Sequence, residues 1–167
     1  MDIQKELIAE FDREAATTRK ILAAIPADAD LGWKPHEKSM SLGRLAGHLC
    51  ELAGNWGMST LTTDKLEMVA GQKHEPYIPA DTAALLAFFD QQTAKLKDVL
   101  AKLPLSTWDE SWRFIMGGQV IISDSKFSVW RTAVMNHLIH HRGQLGVYLR
   151  LLNKKVPGTY GPSADEM

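Results

Sequence analysis

The sequence is poor in cysteine, with Cys50 alone among 167 residues. A lone cysteine cannot form a disulfide within the chain, and it cannot build a thiolate metal site by itself. Disulfide scaffolds and cysteine-rich zinc sites are therefore excluded. Any thiol chemistry at this protein must take its sulfur from another molecule.

Long apolar runs are also absent from the sequence. No stretch approaches the ~20 consecutive apolar residues that a membrane-spanning helix needs. The first residues, MDIQKELIAEFDRE, are charged from Asp2 onward, where a signal peptide would need an apolar core. We therefore expect a cytoplasmic protein with no membrane segment.

The chain has no marked excess of charge of either sign. Its 19 lysines and arginines face 20 aspartates and glutamates, for a formal charge of -1. Such a balance supplies no general field for a polyphosphate backbone, so nucleic-acid binding is not expected. With 45% hydrophobic and 23% charged residues, the composition is that of a globular protein, and the length suits a single domain over residues 1–167.

What the sequence does contain is helical periodicity. Apolar residues recur at spacings of three, four and seven in four segments. These segments, predicted to be helices, are residues 2–25, 41–62, 81–103 and 128–153. Ser41 and Asp81 are suitable N-caps for the second and third helices, and Pro26 and Pro104 end the first and third. Four long helices with short or medium loops predict an all-α fold, an antiparallel four-helix bundle.

The stretch between the third and fourth helices has a different pattern. Trp112, Phe114 and Met116 alternate with other residues, and alternation resumes at Val120 after two consecutive glycines. This pattern predicts a small β-hairpin. After the fourth helix, the Pro/Gly-rich tail VPGTYGPSADEM is expected to be an ordered loop or arm.

Histidines mark the candidate site. His137 and His141 lie one turn apart on the core-facing side of the fourth helix, so both imidazoles can reach one metal ion, whereas His140 lies on the flank. On the second helix, His48 falls between the apolar face and polar residues such as Asn55. Three histidines with an open fourth position are typical of a catalytic metal. The alternative is that His137 and His141 are hydrogen-bonded core residues.

Two polar residues lie one turn beyond these histidines. Glu51 could hydrogen-bond a ligand histidine, act as a fourth ligand or carry a proton, unless it is simply a solvated carboxylate. Gln144 could orient a bound water or substrate, and a hydrogen bond within the core is its alternative. Arg142 and Arg150 are predicted to point away from the pocket, to the surface or an interface.

The remaining candidates lie away from this pocket. His36 and His74 fall in predicted loops, where we expect surface residues without a special role. Met135, Ile139 and Gly146 form an apolar stripe opposite the histidines. Either a helix-helix dimer contact or a contact with the hairpin or tail would explain this stripe.

The segments SMSLGRLAGHLCE and NHLIHHRGQLGVYLRLL, the latter followed by VPGTYGPSADE, strongly resemble the DinB/YfiT-like metalloprotein superfamily. The signature of that family resembles a histidine on the second helix paired with HxxxHRGQ on the fourth, here His48 and residues 137–144. The resemblance covers essentially the whole chain, although the first and third helices match only in pattern. It implies an up-down-down-up bundle, usually a homodimer, in which His48, His137 and His141 bind zinc, nickel or another divalent ion.

The resemblance also implies a range of activities. Several relatives are thiol-dependent S-transferases that activate bacillithiol, mycothiol, glutathione or a similar thiol; one branch isomerises maleylpyruvate, and others are DNA-damage-inducible proteins without an assigned reaction. We therefore expect a metal-dependent S-transferase that presents a low-molecular-weight thiol to a small electrophile. The alternatives are a metal-dependent hydrolase and a non-enzymatic stress-response metal-binding bundle. A metalloprotease is disfavoured because Leu138 follows His137 where HExxH chemistry needs glutamate.

Overall fold

The computed structural model of the protein describes residues 2–71 and 75–167, and over these residues the chain is mostly helical. The helices are α1 (Ile3–Ala23), α2 (residues 42–62), α3 (Thr82–Lys102) and α4 (residues 126–151). The strands are β1 (Lys65–Met68), β2 (Ser111–Met116) and β3 (Gln119–Ser125). Each predicted helix is confirmed, with ends within two residues of the prediction. His74 lies outside the described residues.

Side-chain caps explain where the helices begin. The carboxylate of Asp81 accepts a hydrogen bond from the Ala84 amide at 2.7 Å, and the Ser41 hydroxyl accepts one from the Arg44 amide at 3.2 Å. Each satisfies one of the amides that a first helical turn leaves without a partner. Both predicted caps are therefore confirmed. The fourth helix begins two residues earlier than predicted because Ser125 is its cap.

Contacts between the helices give their directions. On α1 and α3, Arg19 pairs with Asp90 and Asp12 pairs with Lys97, so these helices are antiparallel. Between α2 and α3 the contacts run in the same order, from Cys50 with Leu85 to Gly57 with Leu96. Between α2 and α4 they run in opposite orders, from His48 with His141 to Trp56 with His137. The helices therefore follow an up-down-down-up order.

The apolar core lies between the helices and is contiguous with the histidines. Leu49 and Leu52 of α2, Phe89 of α3, and Leu138 and Leu145 of α4 are each at most 1% exposed. Burying one such side chain stabilises a fold by about 1.5–3 kcal/mol. Helix packing can therefore hold the site in place without help from a disulfide.

A small sheet covers the end of α2. Strands β2 and β3 form the predicted hairpin, turning through Gly117 and Gly118 at φ of 56° and 79°. The all-α description is nevertheless incomplete, because β1 pairs in parallel with β2 on its free side and makes a three-stranded sheet. The Trp112 indole donates to the Ser59 carbonyl at 3.1 Å and fixes the sheet to α2. The sequence KLEM of β1 is too short to show a strand pattern by itself.

Each histidine-bearing helix contains a wide π-helical turn, at Leu52–Trp56 in α2 and Trp130–Asn136 in α4. A π turn advances less per residue than the ~100° of an α-helix, so a phase extrapolated across it is wrong. The sequence predicts Met135 on a stripe opposite the histidines that a dimer, the hairpin or the tail covers, but the structure buries this side chain in a cluster with Leu7 and Phe11 of α1. Gly146 of the same stripe lies against Val156 of the tail. The tail contact is therefore present, and a homodimer stays a prediction.

Arg142 corrects a second prediction. The sequence places it at the surface or an interface, but it is 2% exposed and pairs with Glu14 of α1 at 2.6 Å. The tail and α1 cover this side of α4, because the Tyr160 hydroxyl contacts both members of the pair. Arg150 is exposed, as predicted, and binds Asp165. These contacts confirm that the tail is ordered.

In residues 2–71 and 75–167, we find no helix both long and apolar enough to cross a bilayer.

Candidate metal centre

The structure brings His48 of α2 together with His137 and His141 of α4. One ring nitrogen from each lies within 4.8 Å of the other two. The ring centroids are 4.7 to 5.1 Å apart. His141 is buried, and the other two are half-buried. The structure thus brings the predicted third histidine, on a facing helix, together with the other two.

The hydrogen bonds of the three imidazoles share one feature. Each Nδ1 faces an oxygen acceptor: Glu51 Oε2 for His48 at 3.0 Å, the Ala133 carbonyl for His137 at 3.3 Å, and Gln144 Oε1 for His141 at 2.7 Å. An acceptor at Nδ1 favours the tautomer with its proton there, which leaves the Nε2 lone pair free. All three rings are therefore prepared to bind a metal through Nε2.

Burial favours the neutral forms of His137 and His141. Burial and the neighbouring histidines together lower the pKa of His141 to about 4, although the hydrogen bond to Gln144 raises it. Burial also lowers the pKa of His137, again with His48 contributing. Charged imidazoles this close would repel one another. Near neutral pH, His137 and His141 are therefore neutral donors for a cation.

Glu51 is held on several sides. Its Oε1 accepts from the Tyr77 amide at 2.7 Å, and its Oε2 accepts from Arg44 at 2.9 Å as well as from His48. Burial raises the pKa of this carboxyl, but the hydrogen bonds from His48, Tyr77 and Arg44 outweigh it and the net pKa is lowered. Glu51 is therefore an anion whose two oxygens are already engaged.

The contact between Glu51 and Tyr77 depends on a glycine. A Cβ at Gly47 would approach the Tyr77 carbonyl oxygen closer than 3.0 Å, a distance that real Cβ atoms almost never show. The extended segment containing Tyr77 can therefore lie directly on α2. Sequence reasoning misses Tyr77 because its contact comes from the backbone amide. The only local signal is the glycine next to His48.

Gln144 connects two histidines on the exposed side of the site. Its Oε1 accepts from His141, and its Nε2 donates to His140 Nε2 at 3.1 Å. His140 is exposed and is not one of the three clustered residues. The amide oxygen therefore faces His141, so this side chain can orient one of the candidate ligands. His36 is exposed, as predicted.

Cys50 does not belong to the cluster, although it is only two residues from His48. It is fully buried, and its sulfur lies 3.6 Å from the Ala46 carbonyl and 3.9 Å from the Leu85 carbonyl. Burial raises the pKa of the thiol to about 12. This side chain therefore stays a protonated core residue near neutral pH.

A cleft opens beside the histidines, between α2 and β1. Its volume is about 240 Å³. Its lining is Glu51, Asn55, Trp56, Leu66, Glu67 and Met68. The Trp56 ring is centred 6.3 Å from that of His137 and 5.0 Å from that of Phe114. The sheet and α2 thus form an apolar wall next to the cluster.

Four described helices, a small sheet and three convergent histidines define a helical protein with a candidate three-histidine metal site. Comparison with known families gives the class more narrowly. The model of the DinB family matches residues 1–167. The chain therefore belongs to the DinB family.

Individual relatives agree with this assignment. The uncharacterized protein YrdA of Bacillus subtilis (strain 168) is 26% identical over 158 residues, covering 93% of this chain and 87% of that protein. A DinB-like crystal structure from Bacillus cereus ATCC 10987 has a TM-score of 0.67 at 21% identity, covering 89% and 92% of the two chains. The DinB-like protein YjoA of Bacillus subtilis has a TM-score of 0.64 at 20% identity, covering 92% and 97%. These structures support the fold.

Proposed function

We propose that this DinB-family protein binds a divalent ion, zinc or nickel, through Nε2 of His48, His137 and His141. The single observation that carries the proposal is that all three Nδ1 atoms face oxygen acceptors while the rings converge. Histidines that only satisfied their own hydrogen bonds would not need three ring nitrogens from two helices within 4.8 Å of one another. Imidazole nitrogen suits zinc and nickel better than magnesium or calcium.

The charges around the cluster fit such an ion. Arg44 Nη2 lies 3.5 Å from His48 Nδ1 and would repel a nearby cation, but it is paired with Glu51. The donors are three imidazoles, with the Glu51 carboxylate behind the His48 ring. Gln144 does for His141 what Glu51 does for His48, because its side-chain oxygen accepts a hydrogen bond from the Nδ1 of that ring. We assign Glu51 and Gln144 the role of positioning the ligands.

We further propose that the protein is a thiol S-transferase. A divalent ion with an open coordination position lowers the pKa of a thiol placed there and so favours the nucleophilic thiolate. The thiol would come from a low-molecular-weight molecule, because Cys50 is buried with its pKa raised to about 12. A small electrophile is the second substrate. Such thiols are abundant in the reducing cytoplasm, where we expect the protein to act as a homodimer.

The state of Glu51 favours a thiol over water as the nucleophile. Hydrolysis at a three-histidine site benefits from a general base, but both Glu51 oxygens are engaged and its pKa is lowered. A free thiol has a pKa of about 8.5 and water one of about 15.7, so the thiol needs less help to lose its proton. This difference supports transfer over hydrolysis.

Elemental analysis of zinc- or nickel-loaded, dialysed protein tests the metal site. We expect one ion per chain, loss of the ion in the His137→Ala/His141→Ala double variant, and retention in the His36→Ala control, whose side chain is exposed. An undiminished metal content per chain in the double variant would disprove the proposed site.

A thiol-consumption assay tests the transferase separately. The loaded protein is incubated with bacillithiol, mycothiol or glutathione and the electrophile 1-chloro-2,4-dinitrobenzene, with the double variant as the blank. We expect consumption with at least one thiol to exceed that of the blank. If none is consumed faster than in the blank, the transferase proposal loses its support, whereas the metal site is judged by the elemental analysis alone.

A further inference from the structure

The cleft between α2 and β1 lies next to the histidine cluster, separated from it by the side chains of Glu51 and Trp56. Two of its lining residues contact candidate ligands, since Glu51 bonds His48 and the Trp56 ring meets the His137 ring edge-on. A molecule in the cleft would therefore lie one side chain away from the rings that are proposed to hold the ion. On the Trp56 side, the Trp56 and His137 ring centroids are 6.3 Å apart.

The cleft walls are apolar apart from the uncharged Asn55 amide and two carboxylates that already have partners. Trp56, Leu66 and Met68 supply its apolar surface. The Glu51 carboxylate is paired with Arg44, and the Glu67 carboxylate with Lys65 at 2.8 Å. Within the described lining, the charges are thus compensated. A charged ligand entering the cleft would lose hydration without gaining a free counter-charge, which is unfavourable.

The size of the cleft limits what it can hold. Pockets for drug-sized ligands are about 300–1,000 Å³, and this cleft of about 240 Å³ is smaller. An indole wall favours flat rings by offset stacking or edge-to-face contact, and a methionine sulfur makes favourable contacts with aromatic rings. Trp56 and Met68 provide both. A one- or two-ring aromatic molecule matches these dimensions.

We propose that this cleft is the subsite for the electrophilic substrate, and that this substrate is a small, neutral, apolar molecule with an aromatic ring. Its role as a substrate site rests on the proposed transferase function. Its selectivity for neutral aromatic ligands does not, because the lining residues themselves provide it.

Three ligands of matched shape test the charge selectivity. Metal-free and metal-loaded protein are titrated with 2-naphthol, 2-naphthoate and 2-naphthylmethylammonium, and the indole N–H signal of Trp56 is followed by NMR. We expect 2-naphthol to shift this signal and both ions to bind at least about tenfold more weakly. Equal or stronger binding of either ion, or no shift with 2-naphthol, overturns the proposal.

Substitutions in the wall test the location. Met68→Glu should weaken 2-naphthol binding about tenfold or more by placing a carboxylate in the apolar wall. Leu66→Gln should also weaken 2-naphthol binding, and it provides the test if Met68→Glu folds poorly. Val69→Glu is the matched control, since Val69 is 53% exposed and outside the lining. Wild-type binding in both wall variants overturns the proposal.

The outcomes separate this inference from the proposed function. If 2-naphthol binds as expected but no thiol is consumed, the transferase fails and the cleft stands. If thiol is consumed but 2-naphthol leaves Trp56 unshifted, the cleft inference fails alone.

Discussion

Gly47 and Tyr77 are packed so closely that no side chain fits between them, because a Cβ on Gly47 would lie under 3.0 Å from the Tyr77 carbonyl oxygen. The same contact places the Tyr77 amide 2.7 Å from Glu51 Oε1. Glu51 in turn holds the Nδ1 side of the His48 ring. The backbone of the Tyr77 segment, which is distant from α2 in the sequence, thus helps to position His48, one of the proposed metal ligands.

Gly47→Ala should therefore weaken metal binding. The added methyl group would push the Tyr77 segment away from α2 and loosen Glu51, and losses of support behind a ligand typically cost about 10- to 100-fold in metal affinity. Chelator competition measures this affinity. The matched control is Gly143→Ala on α4, where a Cβ would have no described atom within 4 Å and affinity should stay at the wild-type value. Wild-type affinity in Gly47→Ala would show that this contact does not support the site.

The adjacent histidines His140 and His141 should behave differently. His141→Ala should abolish stoichiometric metal binding, because it removes one of the three clustered rings. His140→Ala should keep one ion per chain and lower the affinity only modestly, since His140 reaches the site through the Gln144 amide and an edge-on contact with the His141 ring, outside the cluster of three. Elemental analysis and chelator competition on the two variants provide the measurement. The reverse result would mean that the ion uses His140 instead.

Local signals explain which parts of this protein could be predicted. Helical periodicity and the caps Ser41 and Asp81 depend on neighbouring residues, so the helix positions followed from the sequence. The spacing of His137 and His141 likewise falls within the regular part of α4. Strand β1, by contrast, exists only because it pairs with β2, which lies far along the chain beyond α3.

The errors on α4 also have physical causes. The sequence places Met135 on the face opposite the histidines, and this side chain is buried because α1 covers it in a cluster that contains Leu7 and Phe11. Arg142 does lie away from the histidine pocket, as predicted, but α1 and the tail cover that side of the helix. Neither covering segment can be placed from the sequence of α4 alone.

Metal removal distinguishes a catalytic ion from a structural one. The helices bury an apolar core that includes Leu49, Phe89 and Leu145, and this core does not depend on the histidines. We therefore expect chelator-treated protein to keep its helical circular dichroism and to lose only a few degrees of Tm, as binding linkage requires, while thiol consumption stops. Global unfolding on chelation would favour the non-enzymatic, structural role of the ion.

The metal-free protein should lose stability as the pH falls below 6.5. The pKa of His141 is lowered from 6.5 to about 4 in the folded state, chiefly by burial, so the unfolded chain binds more protons between these values. The free energy of unfolding therefore rises with pH in this window and levels off above it. From pH 7 to pH 5 we expect a loss of about 2 kcal/mol by urea unfolding. His141→Asn should flatten this dependence and His36→Asn should not; an unchanged slope in His141→Asn would assign it to other groups.

Arg142→Ala should destabilise the protein strongly, although its angular position on the predicted helix places this residue at the surface or an interface. The pair of Arg142 and Glu14 is almost fully buried, and removing one partner leaves a buried charge without compensation, at a cost of about 3–5 kcal/mol. Arg150→Ala is the matched control on the same helix. The Arg150 side chain is half-exposed, so its ion pair with Asp165 should contribute at most about 1 kcal/mol to stability. Urea unfolding of both variants gives the comparison. The Arg142→Met/Glu14→Leu double variant should be less destabilised than Arg142→Ala, since it removes the buried charge as well as its partner. Equal losses in the single and double variants would mean that the tail contact through Tyr160, rather than the unpaired carboxylate, determines the effect.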